Sequence, residues 1–166
     1  MWPDMDTTIE RATLKDAEEI LALQKLTYQS EAALHGEYNI PPLTQTLEGL
    51  RTDFERQVFL KAIRQGRIVG SVRGYVSGDT CYVGRLIVHP DVQNRGLGTR
   101  LMAEIERTFC QAQRFELFTG HKSERNLYLY RKLGYRPFKQ EKVSDALTLV
   151  FLEKQQQTDD VQGGQI

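Results

Sequence analysis

His89-Pro90-Asp91-Val92-Gln93-Asn94-Arg95-Gly96-Leu97-Gly98-Thr99-Arg100-Leu101-Met102-Ala103-Glu104-Ile105-Glu106 is the stretch that decides the fold. Leu97, Leu101, Ile105 and Phe109 recur at steps of four, so a helix starts at the glycines. Glycine is the poorest helix former among ordinary residues, and two of them at a helix start need a reason. A helix N-terminus leaves its first four N–H groups without partners, and with the helix dipole these donors suit an anion. Bare glycine backbone lets a phosphate approach closely. Gln93 and Asn94 add donors, and Arg95 adds a charge. A G-x-G on its own is also an ordinary turn, so the rest of the chain has to discriminate. The spacing fails the P-loop, which needs G-x-x-x-x-G-K-S/T. It also fails the dinucleotide fingerprint, whose third glycine is Leu101 here.

Upstream, Thr8–Ala12 reads as a strand, and Ala17, Ile20, Leu21 and Leu23 mark a helix capped by Thr13 with Asp16 as its partner. A loop follows Leu34, with Pro41-Pro42 as a break, and Leu43–Phe54 reads as the next helix. Val58–Ile63, Ile68–Tyr75 and Cys81–Val88 are consecutive strands joined by RQGR and SGDT turns. Downstream come a strand at Phe115–Phe118, a helix at Asn126–Leu133 stopped by Gly134, and strands at Tyr135–Phe138 and Ala146–Leu152. The expected order is β-α-α-β-β-β-α-β-α-β-β, an α+β fold. Its central sheet is mixed but mostly antiparallel, with about seven strands flanked by helices, and it is not doubly wound.

The bulk numbers restrict the function classes. A chain of 166 residues with 40% hydrophobic and 27% charged residues reads as one globular domain. Lys+Arg and Asp+Glu balance at 22 each, so no overall field draws the protein to nucleic acid or an anionic membrane. No stacking aromatics interleave with a basic stripe, which further disfavours nucleic acid. Cys81 and Cys110, both in apolar contexts, read as buried reduced thiols of a cytoplasmic protein, with no disulfide and no metal. No signal peptide or membrane-length apolar run is visible. Residues 1–154 form the expected domain, and 155–166 read as a disordered polar tail.

Two motifs together point to a family. Gln93-x-x-Gly96-x-Gly98 follows a strand ending Leu86-Ile87-Val88-His89-Pro90. Further on comes Asn126-Leu127-Tyr128-Leu129-Tyr130-Arg131-Lys132-Leu133-Gly134-Tyr135. The pair resembles the two signatures of the GNAT superfamily of N-acetyltransferases, and the element order agrees with that fold. The resemblance implies acetyl-CoA as co-substrate. Its diphosphate would lie on the main chain of Gln93, Asn94, Arg95, Gly96, Leu97, Gly98, Thr99 and Arg100, and Asn126 would bond the cofactor. It implies that the strand matching Cys81–Val88 splays from its neighbour at a bulge. Leu86, Ile87 and Val88 would then pair with the pantetheine arm, and the N–H of Val88 or Ile87 would stabilise the oxyanion. Tyr130 matches the tyrosine that protonates the departing thiolate, while residue pattern alone also allows a core aromatic. Asn126 is equally readable as a helix cap.

One departure stands out. Many relatives carry a Glu on the strand before the glycine motif, where this chain reads Tyr82-Val83-Gly84-Arg85. His121 is the first candidate to replace it as base, with Glu31, His35 and Glu116 behind it. Tyr28, Glu31, His35, Glu37 and Tyr38 fall in the region where the family builds acceptor contacts. They would suit a cationic amine of a small molecule or peptide. The expected reaction is direct acetyl transfer to a primary amine in a ternary complex. The rivals are transfer of another acyl group and a non-catalytic acyl-CoA-binding module. A homodimer is expected only by family analogy.

Overall fold

The computed structural model describes residues 6–156. The chain runs β1 (Thr7–Arg11), α1 (Ala17–His35), α2 (Pro41–Thr44), α3 (Leu47–Arg56), β2 (Val58–Arg64), β3 (Arg67–Ser77) and β4 (Thr80–Val88). It continues with α4 (Leu97–Thr108), β5 (Arg114–Gly120), α5 (Glu124–Lys132), β6 (Arg136–Lys142) and β7 (Thr148–Gln155). Among the described residues these strands form one seven-stranded sheet in the order β1-β2-β3-β4-β5-β7-β6. Every neighbouring pair is antiparallel except β4 with β5.

Side chains alternate across a strand, so consecutive residues feed different faces. Phe59 packs with Ile20, Leu23, Leu50 and Ile87 under α1 and α3. Its neighbour Leu60 packs with Leu97, Leu101, Met102 and Ile105 of α4. Leu127, Leu129 and Leu133 of α5 also pack against that second core. The molecule is therefore a sheet covered on both faces.

Four local expectations change. The helix beginning at Ala17 continues through His35 and stops at Gly36, which takes the left-handed φ of +68°. The single helix expected over Leu43–Phe54 is divided: Pro41-Pro42 start α2, where proline's missing N–H is harmless. Gln45 and Thr46 are then extended, and the Thr46 hydroxyl caps α3 by accepting from Gly49 N–H at 3.0 Å. Cys81 is buried as expected, whereas Cys110 is exposed at the end of α4, where the apolar stripe has finished. The expected tail also begins too early. Gln155 pairs with Arg114, and Gln156 Nε2 donates to the carbonyls of Cys110 and Ala112. The remainder of that tail lies outside the described residues.

The feature that makes a site is the junction of β4 and β5. They pair only at Thr80↔Arg114, Cys81↔Phe115 and Tyr82↔Glu116. Beyond that point Arg85 and Leu86 together oppose Val72 of β3, a β-bulge in which Arg85 adopts a φ of +50°. From Val83 to Val88, β4 has no strand on its β5 side. The C-terminal end of α1 closes the gap from one side, because His35 and Glu31 bond to the β5–α5 connection.

Candidate active site

A cavity of about 760 Å³ follows this gap, within the range of small-molecule sites. One end is the glycine turn. Asn94 and Gly96 take φ of +64° and +84°, which swings the chain from the short turn at Pro90–Val92 into α4. The first bond inside α4 runs from Arg100 N–H to the Gly96 carbonyl at 3.1 Å, and no side chain caps the helix. The N–H groups of Leu97, Gly98 and Thr99 therefore lack helical partners, and these residues line the cavity. A Cβ on Gly98 would meet Leu129 at 3.4 Å and Leu86 at 3.7 Å, both ordinary contacts. Protein packing does not require glycine there, and the bare surface faces the cavity.

The structure sorts the residues expected to hold the cofactor. Asn94, Gly96, Leu97, Gly98, Thr99, Gln93 and Asn126 line the cavity with Leu86, Ile87 and Val88, whereas Arg95 and Arg100 do not. Arg100 turns away and donates to the Thr7 carbonyl at 3.0 Å. Gln93 holds the turn together: its Nε2 donates to the Val88 carbonyl at 3.0 Å, and its Oε1 accepts from Arg125. Arg125 and Lys132 of α5 line the same cavity as the glycines. Arg125 escaped the sequence reading because nothing local links it to the loop; its partner is 32 residues away. Asn126 Nδ2 donates to Thr119 Oγ1 at 3.2 Å. It lies inside α5, with Ser123 at the cap position, so the capping reading of Asn126 does not hold.

Tyr130 is buried in the core against Tyr135, with ring centroids 6.0 Å apart, and is not among the residues lining the cavity. Burial first, and then the neighbouring Tyr28 and Glu31, push its phenol well above the usual value. It is thus a neutral O–H donor throughout the physiological range. Tyr28 is pushed up for the same leading reason. Its side chain lines the cavity with Glu31, whose carboxylate accepts from the Ser123 hydroxyl. Tyr38 is exposed and lies off the cavity lining. Glu37 accepts from Ser144 at 2.8 Å and likewise lies off the lining.

The two histidines meet with ring centroids 5.3 Å apart. His35 is buried; its Nδ1 reaches the Glu31 carbonyl at 3.0 Å and its Nε2 accepts from Lys122 N–H at 3.1 Å. Both ring nitrogens are engaged by backbone, which leaves His35 to pin α1 to the β5–α5 connection. His121 Nδ1 lies 3.0 Å from the Thr148 N–H and 3.1 Å from its carbonyl, and the ring is not on the cavity lining. Glu116 is paired with Arg114 at 2.9 Å, also off the lining. Of the four candidate bases, Glu31 is the one on the cavity wall.

A model of the Acetyltransferase (GNAT) domain family matches residues 55–137, half of the chain. The chain belongs to the GNAT acetyltransferases. Membership in GNAT implies acyltransferase chemistry. Solved structures share the fold over nearly their whole length. The PaiA N-acetyltransferase of Thermoplasma acidophilum, in complex with coenzyme A, is 16% identical with a TM-score of 0.74, covering 90% of this chain and 98% of that one. YncA of Salmonella typhimurium, solved with acetyl-CoA, is 20% identical with a TM-score of 0.71, covering 92% and 95%. The ribosomal-protein-S18-alanine N-acetyltransferase of Escherichia coli is 14% identical with a TM-score of 0.75, covering 92% and 95%. A curated relative, the UPF0157 protein YqkA of Bacillus subtilis, is 26% identical over 133 residues, 80% of this chain. The match covers 38% of that relative's length. No helix among the described residues is long and apolar enough to cross a membrane, and none of their His, Cys, Asp and Glu side chains cluster as a metal site.

Proposed function

We propose that this GNAT protein transfers the acetyl group of acetyl-CoA to a primary amine while both are bound. The observation that carries the reading is continuity. Unpartnered N–H groups at Leu97–Thr99 open into the same cavity as the unpaired edge of β4 and the Tyr28–Glu31 turn of α1. The diphosphate fits the helix N-terminus, with Arg125 and Lys132 on the wall of the same cavity. The pantetheine arm fits the unpaired edge of β4 as an added strand. The amine nitrogen attacks the thioester carbon, and a main-chain N–H at Val88 or Ile87 stabilises the oxyanion. The C–N bond forms, the C–S bond breaks, and Tyr130 gives its proton to the thiolate. The amine's proton leaves through Glu31 or a water beside it.

Calorimetry with coenzyme A, followed by thiol release from acetyl-CoA over a panel of amines, tests this reading. Binding in the micromolar range and turnover with at least one amine are expected. An absence of coenzyme A binding would overturn it. Binding without turnover across a wide panel would instead support a non-catalytic acyl-CoA module.

A further inference from the structure

No carboxylate stands at Tyr82–Arg85, so the proton acceptor has to come from another wall of the cavity. Four polar residues of α1 line it: Thr27, Tyr28, Ser30 and Glu31. The Thr27 and Ser30 hydroxyls donate to carbonyls three residues back in the same helix, at 3.1 Å each. Burial pushes the Tyr28 phenol up, which makes it a proton donor rather than a base. Glu31 is the group of this set that can take a proton. The other carboxylate on the wall, Glu124, is exposed at the start of α5.

Glu31 is gripped twice by the β5–α5 connection. Its carboxylate Oε1 accepts from the hydroxyl of Ser123, which is 2% exposed and on the cavity wall. Its main chain is held through His35. The Nε2 of that ring accepts from Lys122 N–H at 3.1 Å, so Nδ1 carries the ring proton and donates to the Glu31 carbonyl at 3.0 Å. The ring fits because residue 120 is glycine, where a Cβ would stand 2.4 Å from it. Held at both backbone and carboxylate, Glu31 keeps little rotamer freedom, and Oε2 is the oxygen left for a ligand. Tyr28, one turn back, packs against the cluster that contains Ile87, so this part of α1 stands beside the unpaired edge of β4.

Resting on the proposed acetyl transfer, we propose that Glu31 itself takes the proton of the acceptor amine and that Ser123 is its positioning residue. The amine, an ammonium at neutral pH, gives one proton to Oε2, and its freed lone pair forms the C–N bond. The carboxylic acid later gives that proton to solvent. The nitrogen's second proton, shed as the amide forms, balances the one taken up by the thiolate, so one proton is released per turnover. Ser123 donates to Oε1 throughout, which keeps the carboxyl aimed whether or not Oε2 is protonated. The other titratable groups around Glu31 are Tyr28 and His35 on its own helix, His121, Lys122 and Glu124 across the clamp, and Tyr130 in the core.

The test follows thiol release from about pH 6 to 9 at saturating acetyl-CoA, with the amine that the wild type uses best. Glu31→Gln keeps an oxygen for the Ser123 bond, so the clamp stays, but it cannot take the proton. Its kcat near pH 7 should fall by about 10²–10⁴. Its kcat/KM should climb about tenfold per pH unit, because an amine of ordinary pKa, about 10, must then lose its proton in solution. The wild-type profile should be far flatter over this range, and coenzyme A affinity by calorimetry should be the same in both. Ser123→Ala should lower kcat about tenfold with KM unchanged, and Ser123→Thr, which keeps the hydroxyl, should recover most of the loss. Thermal melts check that each variant is folded. A Glu31→Gln protein with the wild-type kcat and pH profile overturns the inference. An undiminished kcat in Ser123→Ala, or no recovery in Ser123→Thr, overturns the positioning role. Loss of coenzyme A binding by the wild type, or no turnover of any amine, would strike the acetyl-transfer reading itself and this inference with it.

Discussion

Substitution at Gly98 separates a glycine needed by the fold from one needed by a ligand. An added Cβ has room, since its nearest neighbours stand at 3.4 Å and 3.7 Å. Replacing glycine by alanine within a helix gains about 0.5–1 kcal/mol of stability. Gly98→Ala should therefore melt at or slightly above the wild-type temperature. Gly98→Leu keeps a good helix former but places a branched side chain at the cavity wall beside three free N–H groups. If that displaces a diphosphate from two charge-assisted hydrogen bonds, each worth at least about 1.5 kcal/mol, about 3 kcal/mol of binding is lost. That corresponds to about a hundredfold weaker coenzyme A affinity. Gly96 gives the opposite pattern. No atom stands within 4 Å of its added Cβ, but its φ is +84°, so Gly96→Ala should lower stability by about 1 kcal/mol through the backbone alone. Thermal melts and calorimetric titration with coenzyme A read both effects. A Gly98→Leu protein that binds coenzyme A within about threefold of wild type would refute the placement of the diphosphate. A Gly98→Ala protein destabilised by more than about 1 kcal/mol would show that the glycine serves the fold.

Tyr130→Phe should lower kcat for thiol release by about 10²–10⁴ while leaving coenzyme A affinity within a few-fold, as expected for loss of a general acid. Gly120→Ala should destabilise the protein by about 2–3 kcal/mol in urea unfolding, because the new Cβ would stand 2.4 Å from the His35 ring. Asp16 is partly buried, which raises its pKa, but the Thr13 N–H and Lys61 outweigh this and leave it below its ordinary 3.8. The folded state thus favours the carboxylate, so the stability lost in Asp16→Asn, about 1 kcal/mol, should be full above about pH 4 and vanish as the pH falls below it.

Much of the architecture is legible in the chain because it is encoded in local patterns. The step-of-four stripe from Leu97, the short apolar runs of β2 to β4 bounded by RQGR and SGDT turns, and the paired glycines act between residues near one another in sequence. Helix and strand formation respond to that neighbourhood alone. The glycine turn and the Tyr130 segment were readable for the same reason. The proline pair was misread because a proline that breaks a helix interior also starts a helix well, and which applies depends on what α2 packs against. Side-chain destinations were not readable at all. That Arg100 leaves the cavity for Thr7, that Gln93 braces Val88 and Arg125, and that Arg73 meets Asp53 while Arg85 reaches Gln45 follow from strand register, the bulge at Arg85 and the crossing of α1 over the β4–β5 gap. A one-residue change of register would send each strand side chain to the other face. The sequence determined where a helix starts on bare glycine backbone; the tertiary structure decided which side chains share a cavity with it, because those contacts join residues tens of positions apart.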